Sequence, residues 1–396
     1  MLSSFRILHR SCRRGGSRSV RRAYGESGQR GSHESPLRRL LLDSSTFGEA
    51  EEASVAEGEL AWATQPYAAS ARPAPGAPPR VDPLDTTVIL FPGQGSQRVG
   101  MGKCLDHVPA AMELYELASS NEGVHRWDVA RVCRSGPADE LERRCQTAVL
   151  VTSLGALELA RDTRPGAVER ARAAAGFSLG EVTALVFAGA LPLEQALRLV
   201  EVRAAAMRAA ARERAGGMLT VWLAPDARLP ALLRAARAAA GRPDAVCQVA
   251  NYLYPGCKVL AGDEQALAWV EREGRGWGVR RSARVRVPGA FHTPLMARAE
   301  AAVREALRLC ELRAPRLPVV SGVTARAVAS APAARRCLER LTAAPVRWEQ
   351  ALHALYARPR GTPQPLTLAL GPGAALRSTL KQVNARAWDA SLHIDV

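Results

Sequence analysis

Aromatic residues are scarce, 5% of 396, and no aromatic-rich string of the kind that stacks bases on an RNA-recognition sheet is present. That scarcity counts against a basic RNA-binding protein, the first reading that a net charge of +16 suggests. No run approaches the roughly 18 uncharged apolar residues that a membrane-spanning helix needs, so no span is expected. The eight cysteines (Cys12, Cys104, Cys133, Cys145, Cys247, Cys257, Cys310 and Cys337) include no Cys-x-x-Cys pair. Neither a zinc site nor a disulfide scaffold follows from such scatter, and the thiols read as reduced. The loop Pro92-Gly93-Gln94-Gly95-Ser96-Gln97 is not followed by Gly-Lys-Ser/Thr, so it fails as a phosphate-cradling loop.

What is present is enough apolar residue, 47%, for one large core or a core plus a smaller domain. The positive charge is unevenly spread. Residues 1–40 carry ten arginines against two glutamates, half of the net charge in about a tenth of the chain. An Arg-rich, Ser-containing, acid-poor start is the composition of a mitochondrial presequence, here residues 1–42, or else of a basic tail that binds polyanions. Residues 43–85 hold Glu49, Glu51, Glu52, Glu57 and Glu59 and then SARPAPGAPPRVDP. With few branched or aromatic residues to order it, this stretch reads as a disordered Ala/Pro/Glu linker.

Structure is expected from Thr86, where TTVILF has the apolar, β-branched character of a buried strand running into the glycine-rich loop. Glycines there let backbone N–H groups approach a bound oxygen, and Gln94 can add a side-chain amide donor. Apolar residues at three- and four-residue steps mark helices over 108–115 and 148–160. At Gly176-Phe177-Ser178-Leu179-Gly180 a small-residue apolar run meets Ser178 and turns at once into an amphipathic helix. This G-x-S-x-G spacing is that of a nucleophile elbow, which presents a serine where free N–H groups and the helix dipole can stabilise an oxyanion. The pentapeptide alone is weak: three fixed positions recur by chance in roughly one chain in ten of this size. A plain strand-to-helix turn gives the same string.

The Ala- and Arg-rich segment 193–212 has strong helix propensity, and its apolar stripe of Leu193, Ala196, Val200 and Met207 also carries Arg203. A guanidinium on the core face must meet an anion or reach out to water, because burying it unpaired costs about 3–5 kcal/mol. The partner is either a substrate anion or a protein carboxylate such as Glu181. From Gly216 to about Arg286 the order is strand, helix (229–240), strand, strand, helix (264–273), strand (279–287), that of a ferredoxin-like domain. Pro288-Gly289-Ala290-Phe291-His292-Thr293-Pro294 then leads into a helix, with Thr293 suited to the N-cap and Pro294 to the first helical position. His292 is thereby fixed between strand and helix, the right place for a general base. His9, His33, His107, His125, His353 and His393 occupy no comparable glycine-bearing loop.

FPGQGSQ, GFSLGE, VEVRAAAM, GAFHTPLM and LGPG, in this order over about Thr86 to Trp388, resemble the malonyl-CoA:acyl carrier protein transacylase family, in particular its mitochondrial members. The resemblance implies an α/β fold: a hydrolase-like parallel-sheet large domain (86–215 and 287–396) interrupted by an inserted ferredoxin-like small domain (216–286). It implies Ser178 as nucleophile, His292 as the base that activates it, and Gln94 with the Leu179 N–H as the oxyanion hole. Arg203 would bind the malonyl carboxylate, and Asn251 and Phe291 would line the pocket, Phe291 opposing branched acyl groups. Beside a Tyr-Pro-Gly turn, Asn251 is equally a turn former, and Phe291 equally a core residue. In the family the second ring nitrogen of the histidine meets a main-chain carbonyl. The glutamine that supplies it is absent here, the local sequence being Glu339-Arg340-Leu341, and Phe177 stands where many bacterial members have histidine.

The implied reaction passes malonyl from malonyl-CoA through Ser178 to the phosphopantetheine thiol of acyl carrier protein in the mitochondrial matrix, with no bound cofactor and no metal. Arg280, Arg281, Arg284 and Arg286 are candidates for contact with an acidic carrier or the CoA phosphates, or else form a solvated face. The alternative is a serine hydrolase or thioesterase of the α/β-hydrolase class, which needs an acid between serine and histidine in chain order. Asp226, Asp244 and Asp263 lie in that interval, inside the small domain.

Overall fold

The computed structural model describes residues 86–120, 127–359 and 361–396; the presequence and linker assigned to 1–85 lie outside the described residues. The elements that bear on the site begin with β1 (Thr87–Phe91), α1 (Pro109–Ser120), α2 (Cys145–Thr163), β2 (Ala171–Gly176), α3 (Leu179–Phe187) and α4 (Leu193–Glu213). Next come β3 (Gly216–Leu223), α5 (Leu229–Ala239), β4 (Cys247–Tyr254), β5 (Cys257–Asp263), α6 (Glu264–Glu273) and β6 (Val279–Arg284). The chain returns with α7 (Ala297–Arg308), β7 (Val319–Val320), β8 (Ala327–Val328), α8 (Trp348–Tyr356), β9 (Leu366–Leu370) and β10 (Ser391–Ile394).

The large sheet has the order β10-β9-β1-β2-β7-β8, parallel except that β8 runs antiparallel to β7. Val88 to Phe91 are wholly buried, as a central strand covered on both faces requires. Val88 and Leu90 pack with Trp348 and Leu352, while Ile89 and Phe91 face Leu150 and Leu185 on the other side. Phe91 pairs with Gly176 at the ends of β1 and β2. The loops leaving those strands, with Gln94 and Ser178, therefore open at one edge of the sheet, where open α/β sheets hold their ligands.

Two local expectations are corrected. The helix after Ser178 is not amphipathic: Leu179 to Leu185 are all buried, because α3 is flanked by β1, β2, α2 and α4 and has no stripe facing water. The strand expected over 279–287 ends at Arg284, and Val287 N–H turns back onto the Val285 carbonyl at 2.9 Å ahead of Pro288.

The small sheet is antiparallel with the order β4-β5-β3-β6, and its strands alternate with α5 and α6 in the ferredoxin-like manner. Alternate residues of each strand serve opposite faces. Leu219, Val221 and Leu260 pack under α5 and α6, whereas Met218, Val259 and Ala261 meet Met207 of α4 and Phe291. The architecture is thus α/β, a hydrolase-like parallel sheet with a ferredoxin-like insertion that roofs one end of it. The two parts are stitched along residues 342–347. Val346 N–H donates to the Ala250 carbonyl (2.8 Å), Tyr252 N–H to the Val346 carbonyl (2.9 Å) and Arg347 N–H to the Gly322 carbonyl (2.7 Å). A buried ion pair, Lys258 Nζ to Glu349 Oε2 at 2.5 Å, joins β5 to α8.

Candidate active site

The turn between β2 and α3 explains both glycines of the elbow. A Cβ on Gly176 would lie 1.9 Å from the Gly180 carbonyl carbon, and one on Gly180 would lie 2.2 Å from the Phe91 carbonyl oxygen. Both overlaps are with backbone, so no side-chain rotation relieves them. Gly180→Ala should therefore cost at least about 3 kcal/mol of stability, read as a lowered urea midpoint; an unchanged midpoint would mean that the elbow can widen. Between the glycines Ser178 sits at φ 51°, ψ −106°, a conformation rare for a residue with a Cβ.

Ser178 is buried, and its Oγ has two partners: His292 Nε2 at 3.0 Å and the Arg203 Nη2 donor at 2.9 Å. His292 is also left-handed, with φ 62°. Its N–H donates to the Thr342 carbonyl (2.9 Å) and its carbonyl accepts from Gln248 Nε2 (3.2 Å), so the backbone is held on both sides. Nδ1 faces the Ala344 carbonyl at 3.2 Å. A carbonyl only accepts, so Nδ1 carries the proton, and Nε2 is left bare to accept from the Ser178 hydroxyl. The carbonyl that meets Nδ1 thus comes from Ala344, just past the Glu339-Arg340-Leu341 stretch, with the Leu341 carbonyl also acting on the ring. Burial, and then the Arg203 charge, pull the His292 pKa down to about 3, against the carbonyls of Ala344 and Leu341.

Thr293 Oγ1 accepts from the Leu295 N–H (3.2 Å) and donates to the Ala290 carbonyl (2.7 Å), capping a short 3₁₀ turn, Pro294–Met296, that runs into α7. The acids between serine and histidine in the chain are engaged elsewhere. Asp263 accepts from Arg214 and the Val246 N–H, Asp244 pairs with Arg214 and Arg242, and Asp226 is exposed ahead of α5.

Arg203 is 2% exposed, on the core face of α4. Nη1 donates to Gln146 Oε1 at 2.7 Å, Nη2 reaches Ser178, and Nε has no partner. Among the described residues no carboxylate accepts from it. Glu181 is fully buried one helical turn past Ser178, with Oε2 accepting from the Gly322 N–H at 2.9 Å and Oε1 bare. Burial pushes its carboxyl up to about 7; its charge is felt at Arg203, but no hydrogen bond joins the two. A dry guanidinium beside the Ser178 hydroxyl, with no carboxylate among the described residues accepting from it, is suited to receive one.

Gln94 leaves β1 half-buried, and its Oε1 accepts from Gln146 Nε2 at 3.2 Å. Gln146, buried at the head of α2, is a site residue that the sequence reading omits. The apolar periodicity of this helix begins at Ala148, and the one available signal was a polar residue ahead of an apolar run. The loop around Gln94 is braced by Arg98–Asp395 (2.9 Å) and by Gln97 Nε2 donating to Glu142 (3.0 Å). The LGPG turn adds to the bracing, for a Cβ on Gly371 would strike Ser153 Oγ and Pro92. Leu179 is buried as the first residue of α3, so its amide lies outside the helix ladder.

A cleft of about 320 Å³ reaches Gln94, Gln146 and Phe291, the last packed with Met207 and Met296. Asn251 does not line that cleft; it is buried in β4 where the β4–β5 register slips, beside the Val346 bridge. Phe177 packs edge-on against Trp348, centroids 5.6 Å apart. Arg143, Arg208, Arg212 and Arg286 also line the cleft. The sequence run of arginines is divided by this arrangement: Arg286 belongs to the cleft, Arg284 pairs with Glu264 and Glu271, Arg281 stacks on Trp222 at 4.7 Å, and Arg280 is exposed. Among the described residues no three His, Cys, Asp or Glu side chains converge as a metal site, and no helix is long and apolar enough to cross a membrane.

Residues 88–362 match the Acyl transferase domain family. Over 321 residues the chain is 44% identical to a probable mitochondrial malonyl-CoA-acyl carrier protein transacylase of Drosophila melanogaster, covering 80% of this chain and 84% of that one. It is 37% identical over 336 residues to the mitochondrial malonyl-CoA-acyl carrier protein transacylase of Homo sapiens, covering 84% and 83%. The solved malonyl-CoA:acyl carrier protein transacylase of Xanthomonas oryzae is similar with a TM-score of 0.70 and 31% identity, over 79% of this chain and 95% of that one. A malonyl-transacylase solved in complex with its type II polyketide synthase acyl-carrier protein is similar with a TM-score of 0.69 and 28% identity, over 78% and 96%. With the family's motifs folded together around Ser178 and His292, and relatives of this identity along most of its length, the chain belongs to the malonyl-CoA:acyl carrier protein transacylase family of acyl transferases.

Proposed function

We propose that the protein transfers malonyl from malonyl-CoA to the phosphopantetheine thiol of acyl carrier protein through a malonyl-Ser178 intermediate. The observation that carries the reading is Arg203, a buried guanidinium without a carboxylate, 2.9 Å from the serine oxygen. His292 Nε2 takes the Ser178 proton as Oγ attacks the thioester carbon. The oxyanion is received by the Leu179 N–H and Gln94, and the C–S bond then breaks with the proton passing from His292 to the departing CoA sulfur. The carrier thiol repeats the sequence in reverse. Arg203 holds the free carboxylate of the malonyl group throughout, and Phe291 bounds the acyl pocket. Every step uses a side chain or main-chain group of this protein, and no cofactor or metal enters. Arg143, Arg208, Arg212 and Arg286 make the mouth of the cleft attractive to an acidic carrier and to CoA phosphates.

Mass spectrometry after exposure to malonyl-CoA should find malonyl on the peptide bearing Ser178. Label on another residue, with Ser178 unmodified, would overturn the assignment.

The proposed role of His292 carries a pH dependence. A pKa of about 3 in the free protein keeps the imidazole neutral, so kcat/KM should show no acid limb near 6.5. Once a substrate carboxylate offsets the Arg203 charge, the ring gains basicity, and the acid limb of kcat should lie at higher pH than that of kcat/KM. The folded-state pKa lies below the unfolded value, so the unfolded chain binds the proton first; from this group stability is lost as pH falls from about 6.5 towards 3. A limb of kcat/KM at the ordinary histidine value would contradict the buried neutral base.

The names of the Drosophila melanogaster and Homo sapiens relatives place them in mitochondria, and the same compartment is proposed for this chain, in its matrix, on the composition of residues 1–42, with 43–85 as linker and 216–286 as the inserted domain. Protein recovered from mitochondria should lack at least roughly its first twenty residues; an intact Met1 on matrix protein would refute import by this route.

A further inference from the structure

Glu181 has no part in the roles assigned above, although it is wholly buried and stands on the first turn of α3. An ionisable group so placed is costly to the fold unless its hydrogen bonding serves a purpose there. Its connections run in two directions. Toward the nucleophile, the Glu181 N–H donates to the Ser178 carbonyl at 2.9 Å. Away from it, Oε2 accepts from the Gly322 N–H at 2.9 Å, in the turn that follows β7. The carbonyl of the same glycine accepts from the Arg347 N–H at 2.7 Å, and Arg347 ends the stretch 342–347 whose Thr342 and Ala344 carbonyls hold His292. Gly322 is wedged between the acid and that stretch, for a Cβ on it would lie 3.2 Å from Val346 Cγ1 and 3.5 Å from Glu181 Oε2. A continuous line of hydrogen bonds thus leads from the backbone of the nucleophile to the backbone that fixes the base, and within it only the Glu181–Gly322 link is made by a side chain. We propose that Glu181 is a positioning residue, a tether that sets the separation between the elbow and the segment carrying His292, so that Nε2 stays within reach of Ser178 Oγ. The inference rests on the roles proposed for Ser178 and His292.

A tether needs an acceptor oxygen and not a charge. The competing role, a counter-charge for Arg203, needs the charge and not the hydrogen bond, and it would bear on a substrate with a carboxylate more than on one without. Steady-state transfer of malonyl and acetyl groups separates the two. Glu181→Gln keeps an oxygen for Gly322 and removes the charge, so kcat should stay within about threefold for both acyl groups. Glu181→Leu leaves the Gly322 N–H without an acceptor and frees the segment it held. There kcat should fall about tenfold or more for malonyl and acetyl alike, on the scale at which a misplacement of about 1 Å costs a hundredfold. KM, set by Arg203 and the cleft, should hold. The imidazole Nδ1–H resonance of His292, bonded to the Ala344 carbonyl, should be displaced in the leucine variant and kept in the glutamine variant. Should Glu181→Leu not fold, Gly322→Ala moves the same junction from the other side, because its Cβ presses on Val346 and meets neither Ser178 nor His292. It should lower kcat, spare KM and shift the same resonance. An unimpaired leucine variant, a glutamine variant as impaired as the leucine one, a loss confined to malonyl, or an Nδ1–H resonance that stays in place while kcat falls would each overturn the proposal. Failure of the acyl-transfer reading itself looks different, since the unaltered protein would then form no acyl-enzyme with either thioester.

Discussion

Ser178→Ala should abolish acyl-enzyme formation, with a loss in kcat on the order of 10⁶-fold, the scale seen when a serine nucleophile is removed from a working constellation. The substitution deletes one oxygen and leaves the turn as it is, since alanine meets the same Cβ constraint at φ 51° that serine already satisfies. His292 keeps its Thr342, Gln248 and Ala344 contacts, none of which involves Ser178. Arg203 loses one of its two acceptors, a modest cost that should appear as a slightly lowered melting temperature in a protein that is otherwise folded. Malonyl label retained on this variant would sink the nucleophile assignment, and an unfolded variant would show that the Arg203–Ser178–His292 contacts hold the core together.

Arg203→Ala should separate substrates that the unaltered protein distinguishes. The substitution removes a charge-assisted bidentate partner and leaves the malonyl carboxylate desolvated in a pocket of buried side chains, effects that together cost about 3–5 kcal/mol. At about 1.4 kcal/mol per factor of ten, malonyl transfer should drop at least a hundredfold in kcat/KM. Acetyl transfer should be kept or improved, because an acetyl group loses only an unused charge. The structure sharpens the alternative. A guanidinium serving only the fold would have a protein carboxylate, and Glu181 instead gives its hydrogen-bonded oxygen to the Gly322 amide. Equal decline of both acyl groups with a lowered melting temperature would assign Arg203 to the fold, and the carboxylate site would have to lie elsewhere.

Much of this fold is readable from residues because the relevant signals are side-chain signals. TVILF marks a central strand, the order of short strands and helices between 216 and 284 identifies the inserted sheet, and an arginine on an apolar helical stripe points to the site. What escaped was carried by groups that leave no trace in residue type. His292 is oriented by the Ala344 and Thr342 carbonyls, and any residue supplies a carbonyl. The burial of α3 on every side depends on neighbours from four distant elements, and the apolar content of LGEVTALVF fits a buried helix as well as an amphipathic one. Gln146 lay outside the stretch of clear periodicity, and nothing local distinguishes it from a solvent-facing glutamine. The arginine run 280–286 shows the converse limit, since residues adjacent in the chain have unrelated partners.

Residues 342–347 hold His292 through Thr342 and Ala344 and, a few positions on, zip onto β4 of the small sheet through Val346. His292 and the small sheet therefore share one strap. The place of the imidazole beside Ser178 is thus fixed by the same stretch of backbone that anchors the edge of the small sheet, so the two are set as one unit rather than independently.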